Sequence, residues 1–183
     1  MQSFLSRINQ LFSYFGYSFM LLAAFAALSN LWLNPNHFNG KLEIVSVRTR
    51  QIRNPSISSS LINAADFLIN VKLDLSPTFH WNVKQVFLNL VVFYSTKNNA
   101  KNEVTVWDRI VLKSSQSYQI DINNRRTKYT LEDDGTGLLN NTLTFKLGIE
   151  MIPFVGFMSQ VFLDQQPSIQ MPDRITGNEY STL

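Results

Sequence analysis

A chain of 183 residues that is 45% hydrophobic and 16% charged is richer in apolar side chains than a soluble domain of that size needs, and no charged residue occurs between Arg7 and Lys41. The net charge of +3 is spread over Lys72, Lys84, Lys97, Lys101, Lys113 and scattered arginines, without the dense basic face that nucleic-acid binding requires. The absence of cysteine excludes disulfide frameworks, thiol catalysis and zinc sites with Cys ligands.

The first element in chain order is the apolar run from Leu11 to Leu33, LFSYFGYSFMLLAAFAALSNLWL. As a helix rising ~1.5 Å per residue it extends roughly 34 Å, enough to cross a bilayer core. Tyr14 and Tyr17 lie toward one end and Trp32 at the other, as interfacial aromatics do, and Asn34, Pro35, Asn36 and Gly40 end the helix in a loop. The competing reading is a cleaved signal peptide, with Arg7 as its positive start, Phe19 to Leu28 as its apolar heart and Ala24-Phe25-Ala26 as its cleavage site. The run is longer than the ~7 to 15 residues of a signal core and continues through Leu31, Trp32 and Leu33, so an uncleaved signal-anchor fits better. This divides the chain into residues 1–10, a transmembrane segment over 11–33 and a domain over 34–183. Ala23 and Ala27 are four apart and share a helix face, which allows either close approach by a neighbouring helix or mere filling.

Orientation is contested by the charges. Arg7 stands on one side and Lys41, Arg48, Arg50 and Arg53 on the other, which by the positive-inside rule holds the domain in the cytosol. Long folded domains translocate largely regardless of flanking charge, and the only usable glycosylation sequon, Asn140-Asn141-Thr142, favours the lumen. The luminal side is the expectation.

Beyond the linker, alternation of period two predicts strands. In Phe67 to Leu75 the odd positions are apolar while Asn70, Lys72 and Asp74 face the other way, and Leu143 to Met151 repeats the pattern. Leu42 to Thr49 is rich in β-branched residues. Val86 to Tyr94 is a nearly continuous apolar run, read as a strand buried on both faces. Val104 to Leu112, Tyr118 to Ile122, Lys128 to Leu131 and Gln160 to Asp164 bring the set to about eight, which predicts an all-β domain, a β-sandwich. Asp134-Gly135 reads as a hairpin turn, and the Pro55 to Ser60 stretch as a surface excursion.

The catalytic inventory is nearly empty. The two histidines are His37, in the juxtamembrane loop, and His80, between Phe79 and Trp81, where packing is the expected role. No serine sits in a nucleophile elbow, and no His or carboxylate cluster has metal-ligand spacing.

Two long motifs then carry a family likeness: Phe79-His80-Trp81-Asn82-Val83-Lys84-Gln85-Val86-Phe87-Leu88-Asn89-Leu90, and Tyr94-Ser95-Thr96-Lys97-Asn98-Asn99-Ala100. They resemble the core of the signal peptidase complex subunit 3 family. Val106 to Leu112, Thr127-Lys128-Tyr129, Asp133 to Leu138 and Asn141 to Thr144 are similar to the same family in the same order, with a looser match over Arg50 to Ala65 and after Asp164. The resemblance implies a single-pass protein of the endoplasmic reticulum membrane with a short cytosolic amino terminus and a luminal β domain glycosylated at Asn140. It implies no cofactor and no catalytic residue, the serine nucleophile and its base belonging to another subunit. The partners it implies are the catalytic and other subunits of that complex and membrane lipid, with nascent signal peptides and the translocon as further candidates. Contact residues are expected among Phe79, Trp81, Lys84, Tyr94, Lys97, Asn98 and Trp107, against the plainer reading that Trp81 and Trp107 fill the core. The rival function classes are an independent membrane-anchored adhesion or receptor-like β module, and a hydrolase released by signal cleavage.

Overall fold

The computed structural model describes residues 3–53, 61–115, 117–133, 137–177 and 179–182. Its elements are a helix, α1 (Phe4–Leu33), then β1 (Gly40–Arg53), β2 (Leu61–Asp74), a short 3-10 turn (Ser76–Thr78), β3 (Val83–Tyr94), β4 (Asn102–Leu112), β5 (Gln119–Arg126), β6 (Leu131–Asp133), β7 (Thr142–Pro153), β8 (Ser159–Phe162), β9 (Ser168–Gln170) and β10 (Ser181–Thr182). The turn expected at Asp134-Gly135 and the excursion from Pro55 to Ser60 lie outside the described residues.

Ser3 caps α1, its hydroxyl accepting from the Ser6 amide at 3.3 Å. At the other end Pro35 biases Asn34 toward extended backbone (φ −72°, ψ 128°) and the helix stops. Between these ends Leu11, Phe12, Phe15 and Leu22 are each more than 60% exposed, so the helix is long and apolar enough to cross a membrane and is not buried by its own domain.

Among the described residues all strand pairings are antiparallel, and they build two sheets. The first has the order β10-β1-β2-β5, with β6 also on β2; the second has the order β4-β3-β7-β8, with β9 also on β7. The alternation seen in the sequence delivers the core. Phe67, Ile69, Val71, Leu73 and Leu75 are all buried, and Leu143, Phe145, Leu147, Ile149 and Met151 meet them from the second sheet. Phe67 and Phe145 join the layers edge to face, with ring centroids 5.0 Å apart. Each such fully buried side chain contributes about 1.5–3 kcal/mol relative to exposure. The domain is a β-sandwich.

Two sequence expectations need correction. β3 is not buried on both faces: Val86, Leu88, Leu90 and Val92 point inward, while Phe87, Asn89, Val91 and Phe93 are half-buried on the outer face. Long polar side chains of β7 shield that face, with the Lys146 ammonium 4.8 Å from the Phe93 ring centre and Glu150 accepting from the Asn89 carboxamide at 3.3 Å. The stretch Lys128 to Leu131 is not a strand either; β6 begins only at Leu131. Residues 128–130 cross between the sheets, the Tyr129 amide donating to the Val106 carbonyl at 2.9 Å.

Candidate functional site

The residues singled out from the sequence fall at two ends of the sandwich, except Trp107, which lies mid-sheet opposite Leu90. Trp81 is 59% exposed and Lys84 is exposed beside it, at the end of β3 nearest α1. Lys97 and Asn98 are exposed in the β3–β4 turn, at the other end of a strand that at ~3.3 Å per residue runs about 36 Å. Phe79 is half-buried and stacks on Tyr118 with centroids 4.1 Å apart. Tyr94 is buried, its hydroxyl donating to Asp133 at 3.1 Å, and Trp107 is buried in the core. No single patch gathers all seven.

Asn140 is exposed, in the left-handed conformation (φ 52°) that Asn tolerates. The neighbouring Asn141 carboxamide donates to the Ser95 carbonyl at 2.7 Å, which places the sequon at the same far end as Lys97 and Asn98.

The most tightly built polar constellation joins α1 to the sandwich, and the sequence did not announce it. Asn82 is fully buried between Trp81 and β3. Its amide group donates, each at 2.9 Å, to the Ala26 carbonyl, the Asn30 side-chain oxygen and the Val155 carbonyl, two hydrogens shared among three acceptors. Its oxygen accepts from the Val155 amide at 3.1 Å, and its backbone carbonyl from the Phe154 amide at 2.8 Å. One side chain thus ties together α1, the start of β3 and the β7–β8 turn.

A second chain of hydrogen bonds runs parallel to the first. The Asn82 amide donates to His80 Nδ1 at 3.3 Å, His80 Nε2 lies 2.8 Å from the Asn34 side-chain oxygen, and Asn34 donates to Ser159 Oγ at 2.8 Å. Because Nδ1 accepts, the ring is neutral with its proton on Nε2. Burial and then the nearby Lys113 ammonium both hold the His80 pKa below the ordinary histidine value. Both ring nitrogens are engaged in this chain, so neither is free to act as a base. Lys113 itself donates to the carbonyls of His80 (2.8 Å) and Trp81 (3.0 Å), fixing the corner on which Trp81 stands.

Helix spacing explains why α1 docks there. Ala23, Ala26, Ala27, Asn30 and Asn34 recur at intervals of three and four, and these are residues that α1 turns toward the domain. Ala23 and Ala27 do share a face; what approaches it is the chain's own β7–β8 turn. Gly156 sits so close that a Cβ there would lie 3.0 Å from both the Cα and the Cβ of Ala27, and its φ of +112° is one that side chains rarely adopt. Asn30 and Asn34, polar residues on the alanine face of an apolar helix, were the legible signal.

A third cluster lies on the outer face of the first sheet. Asp66 is fully buried and accepts from Arg48 (2.6 Å), Thr130 (2.7 Å) and Arg126 (3.1 Å), with Arg50 3.6 Å away. Burial opposes ionisation, and the hydrogen bonds from Arg48, Thr130 and Arg126 outweigh it, so the carboxyl stays below the usual range. The Arg48 guanidinium also lies 5.1 Å from the Tyr180 ring centre, tying the carboxyl-terminal tail to β1. Among the described residues, no three His, Asp or Glu side chains gather into a metal-binding group.

Comparison with known proteins decides the family. The family model described as "Signal peptidase subunit" matches residues 1–174. The chain belongs to the signal peptidase subunit family. Among the relatives in that family, "Signal peptidase complex subunit 3" of Caenorhabditis briggsae is 33% identical over 99% of this chain and 100% of its own length. The protein of the same name from Caenorhabditis elegans is also 33% identical over the same shares, and that from Homo sapiens is 31% identical over 94% of this chain and 96% of its own. The family match takes in α1, the Asn82 joint, the Asp66 cluster and the sequon.

Proposed function

We propose that this chain is a non-catalytic accessory subunit of a signal peptidase complex at the endoplasmic reticulum membrane. In this reading residues 1–10 are cytosolic, α1 crosses the bilayer as a signal-anchor over residues 11–33, and the sandwich over residues 34–183 is luminal and glycosylated at Asn140. The serine nucleophile and its base reside on a different subunit. The sandwich packs beside that catalytic subunit and holds it at a fixed height above the bilayer, where it meets the cleavage region of a nascent signal peptide emerging from the translocon. A misplacement of ~1 Å can cost ~100-fold in rate, so positioning alone is a sufficient function.

The observation that carries this reading is the Asn82 joint. A tethered binding module needs only a flexible linker between anchor and domain, whereas here the last turns of α1 are hydrogen-bonded into the sandwich. A domain whose task is to set a height requires that rigidity. In this reading the exposed Lys84 at the near end and Lys97 and Asn98 at the far end are the protein contacts, while Phe79 is half-buried and Tyr94 and Trp107 are buried within the domain. A glycan on Asn140 shields the far end, which favours the near end, at Lys84, for the catalytic partner.

The test is affinity purification of the tagged chain from membranes in mild detergent. Recovery with the other signal peptidase subunits, together with loss of signal-peptide cleavage on depletion, supports the reading. Recovery alone with cleavage unaffected overturns it in favour of an independent adhesion or receptor-like module.

A further inference from the structure

Next to the joint, the β7–β8 turn is apolar and unprotected. Phe154 (60%), Val155 (39%), Phe157 (89%) and Met158 (67%) are exposed, four large apolar side chains in five consecutive positions, and Phe157 is the most exposed large hydrophobic among the described residues. Trp81, 59% exposed, adjoins them. With Val155 it lines an open apolar groove against Phe19, Leu22, Ala23, Phe25 and Ala26 of α1. A soluble surface does not carry such a patch without a partner for it.

The depth of this patch follows from α1. A bilayer core of ~30 Å takes ~20 helical residues. A span cannot start before Arg7 without burying its guanidinium. Counted from Ile8, ~20 residues end near Ala27; counted from Leu11, they end near Asn30. By either count the stretch of α1 from Ala23 to Ala27 lies within the far leaflet, and the groove shared with Trp81 and Val155 lies there with it.

The chemistry of the turn suits that depth. In hydrocarbon every backbone polar group needs an internal partner. Where the turn meets α1 that demand is satisfied, the Phe154 amide, the Val155 amide and the Val155 carbonyl all being bonded to Asn82. At the rim Lys113 lies 5.9 Å from the Phe154 ring centre, a cation at the level where headgroups begin, and Trp81 is the residue type that favours this boundary.

We propose that Trp81 and the Phe154 to Met158 turn form a lipid-embedded wedge, a second membrane contact through which the sandwich sits in the luminal leaflet alongside α1. The inference rests on the reading of α1 as a membrane span. The wedge converts a one-point tether into a two-point one, fixing the rotation of the sandwich about the helix axis as well as its height.

The test uses the full chain reconstituted into phosphatidylcholine vesicles with bromine at a shallow acyl position. A Trp32→Phe variant leaves Trp81 and the buried Trp107 as emitters, and the Trp32→Phe/Trp81→Phe double variant supplies the Trp107 signal for subtraction. Trp81 emission should be blue-shifted and lose most of its intensity in brominated vesicles relative to unbrominated ones, and aqueous iodide should leave it unchanged. Quenching by iodide with none by brominated lipid overturns the wedge. Retention of the chain in carbonate-washed vesicles reports the α1 span separately: a retained chain with unquenched Trp81 defeats the wedge alone, and a released chain defeats both. In native membranes, a photoreactive phenylalanine analogue at position 157 should form lipid adducts; adducts with a protein would assign the patch to a subunit interface and overturn the proposal. Neither readout depends on signal-peptide cleavage, so failure of the subunit assignment does not mimic failure here.

Discussion

Asn82 donates to the side-chain oxygen of Asn30 across 2.9 Å, a bond between two residues 52 positions apart that makes the end of an apolar helix part of a β-sandwich. The consequence is a chain without a hinge at the point where a tethered domain usually has one.

Asn82→Ala removes the side chain that reaches the Val155 amide and the Ala26 carbonyl together. Each buried polar group left without a partner costs about 1–3 kcal/mol, so the variant should lose about 2 kcal/mol or more. Hydrogen exchange at Val155, whose amide loses its side-chain acceptor, should rise sharply while exchange in β3 beyond Val86 stays slow. Unchanged protection at Val155 would show that the joint does not depend on the Asn82 side chain.

Gly156→Ala and Gly16→Ala form a contrasting pair. A Cβ at Gly156 meets Ala27 at 3.0 Å in a backbone conformation of φ +112°, whereas at Gly16 nothing lies within 4 Å. The first substitution should destabilise by about 1–3 kcal/mol and separate the turn from α1. The second should be neutral or mildly helix-stabilising, by up to ~1 kcal/mol. Thermal unfolding and proteolysis within residues 153–159 check both.

Asp66→Asn tests the buried carboxylate among its arginines. Breaking a buried ion pair from one side costs about 3–5 kcal/mol, and the lower end is expected here because Arg50 and Arg126 are partly exposed and their share is screened. The sign with pH is fixed by the direction of the shift. The folded carboxyl is held below its unfolded value, so its stabilisation is complete above about pH 4 and is lost as pH falls through the folded pKa. Urea midpoints measured from pH 7 down to pH 3 should show a steeper acid loss in the parent than in the variant.

The β alternation was legible because each strand of the core buries one face. Phe67 to Leu75 and Leu143 to Met151 declare their inward residues directly. Val86 to Tyr94 misled, because Phe87, Val91 and Phe93 are apolar residues on an outer face, and the Lys146 that covers Phe93 belongs to another strand and a register no single segment encodes. β9 and β10, of 3 and 2 residues, are too short to show a period. The joint was half legible. Asn30 and Asn34 mark a polar stripe on α1, but their partners Val155 and Ser159 each lie 125 residues away. The arginines around Asp66 come from β1 and β5, so the cluster exists only once both pair with β2.

Thr142→Ala removes the sequon hydroxyl while leaving Asn140 in its left-handed conformation. Cost to the fold should be within about 0.5 kcal/mol, since the hydroxyl's bond to Gln170 is at the surface. In cells the chain should run faster on a gel and become insensitive to endoglycosidase. A parent chain already insensitive to the enzyme would remove Asn140 from the luminal argument.

With α1 spanning a bilayer as proposed and joined rigidly to the sandwich, the molecule would act as a lever whose fulcrum is the bilayer. A tilt of about 10°, of the order that a helix takes up when membrane thickness changes by a few ångströms, would swing the Lys97 end about 6 Å along an arm of ~36 Å. In that reading lipid thickness would be geared to the position of the end of the sandwich farthest from the membrane.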